Sequence, residues 1–348
     1  MEFANLVPLV EATRGPIVES IMCGAAAIVD AQNRLVASLG DPDTFTYPRS
    51  TAKPLQVLPF VERGGLEHFG ITPRELALMC ASHAGTDDHA AVAESIQRKV
   101  GVKESDLLCG MHPPYDKDTL YRMIRTGEES RPNRHNCSGK HSGMLAHARL
   151  RGWPIEDYIN TEHPLQKTII QTFAEMTSFP AEKLGIGVDG CSAPVFALPL
   201  RNFALGFARL CDPAGLAPER AAACQKITQA MMSHPDMVSG PGRFDTRLME
   251  VCQGKLIAKG GAEGYQGVGL LPGALGPGSP ALGIAFKAAD GDLGDRVRPL
   301  VTIELLRQLG VLGPAEIEAL AGFATRPLYN WRKLPIGELR PVFKIQAG

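Results

Sequence analysis

Residues 264–286 carry no charged side chain, a run long enough to cross a bilayer as a helix. They also hold seven glycines and three prolines, with Pro272, Pro277 and Pro280 close together. A lipid-facing helix does not place its breakers there, because each would free backbone groups that hydrocarbon cannot satisfy. The run therefore predicts two buried strands, 265–271 and 281–287, joined by a loop. Such strands need a sheet to receive them, and the N-terminal end offers one. Residues 17–21 and 25–29 are strand-like, 30–33 are turn-like, and Leu35-Val36 returns, so 16–38 reads as a hairpin.

Between these ends the pattern turns helical. Candidate helices are 73–81, 87–100, 118–127, 139–151, 163–178, 217–233 and 243–253, with further ones at 295–309 and 314–322. Thr72-Pro73 and His163-Pro164 read as starts with Pro at the first helical position. Short strands are expected at 184–188, 194–199 and 255–259, and a last one at 339–345. The fold class is α+β: an antiparallel sheet from both chain ends (roughly 1–49 and 254–348) flanked by helices, with a mainly helical middle (roughly 50–253), in one catalytic domain. Charge nearly cancels, 36 Lys+Arg against 37 Asp+Glu, which leaves no polybasic arm for nucleic acid and no acidic tail. Met1–Pro8 carries Glu2 and no basic run, so no secretory signal and no membrane anchor are read. A cytoplasmic protein is expected, its eight cysteines reduced and, lacking any C-x-x-C pair, mostly small buried hydrophobes.

Several segments carry reactive side chains. Ser50-Thr51-Ala52-Lys53 places a hydroxyl and an amine three residues apart, on one face of a helix beginning near Ser50. A lysine activates a serine only after losing its proton, which burial or a neighbouring cation promotes. Ser-x-x-Lys also arises by chance. Ser82-His83 sits among small residues and also suits a helix cap. The stretch 135–143 holds His135, Cys137, Lys140 and His141 at a helix start, where backbone N–H groups favour an anion or thiolate. It reads as a metal site or substrate loop, with a polar turn around a buried cysteine as the plain alternative. Asp189-Gly190-Cys191 ends a strand, and Cys137 with Cys191 could supply two soft ligands, too few alone for a zinc site. Lys259-Gly260-Gly261 lets backbone approach a ligand, and Arg243, after Gly240-Pro241-Gly242, can meet a carboxylate or simply begin a helix. The order Ser-x-x-Lys, second Ser, late Lys-x-Gly is that of serine β-lactamases and penicillin-binding proteins, without their Ser-Asp-Asn and with Gly260 for Thr.

Taken together, 48–54 (Pro-Arg-Ser-Thr-Ala-Lys-Pro), Ala81-Ser82-His83, 136–141 (Asn-Cys-Ser-Gly-Lys-His), Asp189-Gly190-Cys191 and Lys259-Gly260-Gly261 resemble the rhizobial-type L-asparaginases of the asparaginase II family. The resemblance implies a β-lactamase-like, glutaminase-like fold, usually as a homodimer. It implies two serine–lysine tandems, Ser50 with Lys53 and Ser82 with Lys259, and a zinc ion held by Cys137, Lys140 and Cys191. Candidate substrate contacts are Arg49, His83, Asp189 and Arg243. The reaction implied is hydrolysis of L-asparagine to L-aspartate and ammonia. Another Ser-Lys amidohydrolase, a glutaminase or β-lactam-reactive enzyme, is the nearer alternative; a non-catalytic zinc or thiol protein is the farther one.

Overall fold

The computed structural model describes residues 5–348 and forms two compact units. The first, a sheet unit, comprises the chain up to Thr51, Leu198–Asp212 and Arg247–Gly348. The second, a helical unit, comprises Ala52–Ala197 and Pro213–Thr246. The α+β expectation and the origin of the sheet in both chain ends hold. The boundaries differ from those read in the sequence, because 198–212 and 247–253 belong with the sheet. The reading of Met1–Pro8 rests in part on residues 1–4, which lie outside the described residues.

The main sheet runs, in spatial order, Arg326–Tyr329, Pro335–Pro341, Val7–Arg14, Ile17–Asp30, Leu282–Ala288, Tyr265–Leu270 and Leu256–Gly261. Leu35–Leu39 also pairs with Ile17–Asp30, and Gln346–Ala347 pairs with Leu35–Leu39. Every pairing is antiparallel. The uncharged run does form two buried strands, Tyr265–Leu270 and Leu282–Ala288, with every residue of both buried. The strand expected at 339–345 lies earlier, at Pro335–Pro341, and the short Gln346–Ala347 follows it.

Helix Leu200–Cys211, which the sequence did not suggest, lies against this sheet. It sits there because glycines clear its path. A Cβ at Gly283 would stand 1.8 Å from the Ala204 carbonyl oxygen, and one at Gly269 would stand 2.6 Å from Cys211 Sγ. Side chains alternate along a strand, so Gln266 points to the opposite face from Gly267 and Gly269. There its Oε1 accepts from Arg298 Nη1 at 2.6 Å, at the start of helix Arg298–Gln308. The sheet is thus layered between two helices within its own unit. Gly283→Ala is expected to cost about 3 kcal/mol by overpacking. Thermal unfolding should show a Tm several degrees lower, and an unchanged Tm would contradict so close a helix–sheet approach.

The helical unit packs Lys53–Glu62, Pro73–Met79, Asp87–Val100, Ser138–Leu150, Pro164–Thr177 and Pro218–Ser233 around one core. Thr72 and Thr86 cap the second and third of these through reciprocal side-chain and backbone hydrogen bonds. At Gly139 a Cβ would fall 2.1 Å from the Leu78 carbonyl oxygen, so Ser138–Leu150 begins hard against the end of Pro73–Met79. No helix among the described residues is long and apolar enough to cross a membrane.

Candidate active site

In the sheet unit, a 3-10 turn at Arg49–Ala52 carries Ser50 and runs directly into helix Lys53–Glu62, as the expected helix start near Ser50 requires. Pro54 falls in the first turn of that helix, where its missing N–H breaks nothing. Arg49 enters the turn at φ 53°, a left-handed conformation that costs a side chain of this kind ~1–2 kcal/mol. The end of strand Leu256–Gly261 touches the same turn. A Cβ at Gly261 would lie 2.4 Å from the Pro48 carbonyl oxygen and 2.7 Å from Thr51 Oγ1. Lys259 pairs across the ladder with Gly267, whose Cβ would lie 2.6 Å from Thr51 Cγ2. Lys259, Gly261 and Gly267 therefore share the face that receives the Ser50 turn. Lys259 is 1% exposed and donates to the Gly260 carbonyl at 2.6 Å, whereas Ser50 reaches solvent in part.

In the helical unit, Lys53 is also 1% exposed. Its Nζ lies 2.9 Å from Ser82 Oγ and donates to the Ala81 carbonyl at 2.5 Å. The hydrogen bond of this lysine thus goes to the second serine, while the implied tandem pairs it with Ser50. Ser82 is partly open to solvent, and its amide donates to the Val238 carbonyl at 2.9 Å. Arg243 Nη1 donates to the carbonyls of Ser82 (3.1 Å) and Ser239 (3.3 Å), and the guanidinium lies 5.6 Å from the centre of the Tyr115 ring. Tyr115, which no sequence motif marks, is stacked on His112 and 55% exposed. Its place beside Arg243 joins positions distant in the chain, and no local pattern announces it.

Cys137, Lys140 and Cys191 converge in the same unit, each at most 4% exposed. Lys140 Nζ donates to Cys191 Sγ at 2.8 Å. Cys191 is the thiolate of the cluster: a hydrogen bond from the Cys137 thiol, then Lys140 and His141, outweigh burial and hold it far below the usual thiol range. That same bond to Cys191, with burial second, raises Cys137. Burial opposes the Lys140 ammonium, but the Cys191 thiolate, then Cys137 and Asp189, raise its pKa nonetheless. Burial lowers His141 to about 4. Its Nδ1 meets Tyr158 Oη at 2.6 Å, and the ring also hydrogen-bonds the Cys191 sulfur. Asp189 closes its own loop, its Oδ1 accepting from the Gly190 amide at 2.7 Å. Two sulfurs and an amine within reach of one another suit a borderline-soft cation such as zinc. Among the described residues no three His, Cys, Asp or Glu side chains gather as a metal set; this cluster has two cysteines and a lysine.

His83 is fully buried, with both ring nitrogens bonded within the protein.

Serines that reach solvent, with buried lysines in the same unit, are side chains that acyl-transfer chemistry can use. The sequence matches the L-asparaginase II family over residues 10–341, and the chain belongs to that family. It is accordingly an amidohydrolase. No curated protein matches it. Solved structures to which it is similar include a probable glutaminase from Bacillus subtilis complexed with 6-diazo-5-oxo-L-norleucine, at 11% identity and a TM-score of 0.35, covering 78% of each chain. Another is a β-lactamase from Mycobacterium bovis, at 15% identity and a TM-score of 0.43, covering 82% of this chain and 95% of that one.

Proposed function

We propose that this protein is an L-asparaginase of the rhizobial type, hydrolysing L-asparagine to L-aspartate and ammonia through an acyl-enzyme. The family match supports the reaction class, and the Lys53 Nζ to Ser82 Oγ contact of 2.9 Å is the observation that carries the site. Ser50 attacks the side-chain amide carbonyl and Lys53 takes its proton. The C–N bond breaks, and the leaving nitrogen departs as ammonia once a proton is delivered through Ser82. Water then cleaves the acyl–Ser50 ester and restores the serine, with Ser82 and Lys259 relaying protons and orienting the water. Backbone N–H groups, that of Ser50 included, offer the oxyanion its donors. Arg49, Asp189 and Arg243 are the substrate contacts of this reading.

Cys137, Lys140 and Cys191 would hold zinc, which when bound supplies a fixed positive charge that orients polar groups of loop and substrate. A homodimer and a cytoplasmic location accompany the same reading. The deciding experiment is ammonia release from asparagine and glutamine side by side, with a chromogenic β-lactam as third substrate. Asparagine is expected to give the highest kcat/KM. Turnover of glutamine or of the β-lactam alone would move the protein to the neighbouring Ser-Lys activities, and no turnover of any would leave a binding protein.

A further inference from the structure

We infer that His83 is a positioning residue that locks the Ser82 turn onto the first turn of helix Ser138–Leu150, making the placement of Ser82 depend on the segment that carries Cys137 and Lys140. The inference rests on the amidohydrolase reading for its kinetic consequence, but not for its geometry.

The hydrogen bonds fix the tautomer. The Gly85 amide donates to His83 Nδ1 at 3.1 Å, so Nδ1 is an acceptor and the ring proton sits on Nε2. Nε2–H then donates to Ser138 Oγ at 2.9 Å, and the Ser138 hydroxyl passes its own proton on to the Asn133 carbonyl at 3.0 Å. Each bond has one permitted direction, and the chain holds only with a neutral ring. Burial favours that state, keeping the His83 pKa well below its usual value. One face of the ring stacks on His89 at 4.8 Å between centroids, with planes 12° apart. His89 is itself fixed, its Nε2–H donating to the Asp236 carbonyl at 3.0 Å. The His83 amide adds a backbone tie, donating to the Asn136 carbonyl at 3.2 Å.

The imidazole thus has no nitrogen and no surface left for a substrate, which removes it from the contacts expected of it. What it joins is informative. On one side is Ser82, its Oγ against Lys53. On the other is Ser138, directly after Cys137 and two residues before Lys140. The helix bearing Ser138 cannot give way at that point, because Gly139 already lies against the Leu78 carbonyl. A shift of the Cys137–Lys140 turn is therefore delivered to Ser82 through the ring bond of His83 to Ser138 and its backbone tie to Asn136, and a displacement of about 1 Å at a proton relay can cost on the order of 10²-fold in rate.

Two replacements of similar size separate the two bonds of the ring. His83→Gln carries an amide N–H out to the reach of Nε2 and keeps the bond to Ser138. His83→Asn keeps an acceptor near the position of Nδ1 and loses that bond. The expected result is a fall of on the order of 10²-fold in kcat for His83→Asn and for Ser138→Ala, with KM within about twofold, and rescue to within a few-fold by His83→Gln. The double variant His83→Asn/Ser138→Ala should be no slower than either single one, since both remove the same bond. Equal activity of the Asn and Gln variants, additive losses in the double variant, or a rise in KM at unchanged kcat would overturn the inference. Nuclear magnetic resonance supplies a readout independent of turnover. The slowly exchanging Nε2–H of His83 should be present in the unmodified protein and lost in Ser138→Ala, together with a shift of the Ser82 amide. An unmoved Ser82 amide in Ser138→Ala would refute the coupling even if the protein turned over no amide, whereas absent turnover alone would count against the amidohydrolase reading only.

Discussion

Ser50→Ala is expected to lower kcat/KM for asparagine by about 10⁴-fold or more, the scale seen when a nucleophile is deleted from a constellation that acts as a unit. The protein should remain folded. Ser50 lies partly at the surface, in a turn whose path is fixed by Pro48, Thr51 and the glycines of the facing strands rather than by the Ser50 side chain. Ser82→Ala should also slow the reaction but leave an acyl-enzyme that forms at Ser50. Mass spectrometry of protein quenched during turnover of an activated ester would show +acyl on a peptide containing Ser50 in the unmodified and Ser82→Ala proteins, and none in Ser50→Ala. Label on Ser82 in folded Ser50→Ala, with ammonia release retained, would transfer the role of nucleophile to Ser82, the serine that Lys53 already touches.

The second large effect concerns the Cys137–Lys140–Cys191 cluster. Protein equilibrated with zinc at pH 8 and passed over a desalting column is expected to retain about one zinc per chain, and Cys137→Ala/Cys191→Ala none. The sign of the pH dependence follows from the pKa directions. Without metal, Cys137 keeps its thiol proton, raised first by the bond to Cys191 and then by burial. Lys140 keeps its ammonium, raised by the Cys191 thiolate against burial. Neither protonated group can bind a cation, so loading releases protons and affinity falls as pH is lowered, by up to about tenfold per pH unit for each proton released. Chelator competition at pH 6, 7 and 8 measures this. Zinc retained by the double variant, or an affinity indifferent to pH, would remove the cluster as the binding site.

The sequence was most legible where local chemistry decides structure. Helices Asp87–Val100, Pro164–Thr177 and Pro218–Ser233 lie within a residue or so of their expected bounds, because caps and first-turn prolines mark their starts. Helix Leu200–Cys211 is harder to read although Arg201, Asn202 and Arg209 lie to one side of it, because no side chain caps its start and it follows strand Pro194–Pro199 with no intervening loop. Strand Val7–Arg14 was hidden by Pro8, which ordinarily argues against a strand; the ladder accommodates it with a register shift between Pro8 and Val10. Of the site, the residue types and their motifs were readable. Their partners were not: the Lys53 bond to Ser82, the Tyr115 ring over Arg243 and the His141–Tyr158 contact join residues that only the fold brings together.

The pairing of the two chain ends also bears on how the protein is made. Val10 is aligned with Pro341 and Ala12 with Leu339, so strand Val7–Arg14 must wait for roughly three hundred further residues before one of its two neighbours exists. During synthesis it has only its hairpin partner Ile17–Asp30, and its other edge stays open. The helical unit has all its segments by Thr246, about a hundred residues before strand Pro335–Pro341 is complete. Folding should therefore pass through a species with a formed helical unit and an incomplete sheet, slowed by the long loop that the final pairing must close. That exposed edge makes the late nascent chain the stage at which self-association is most favoured.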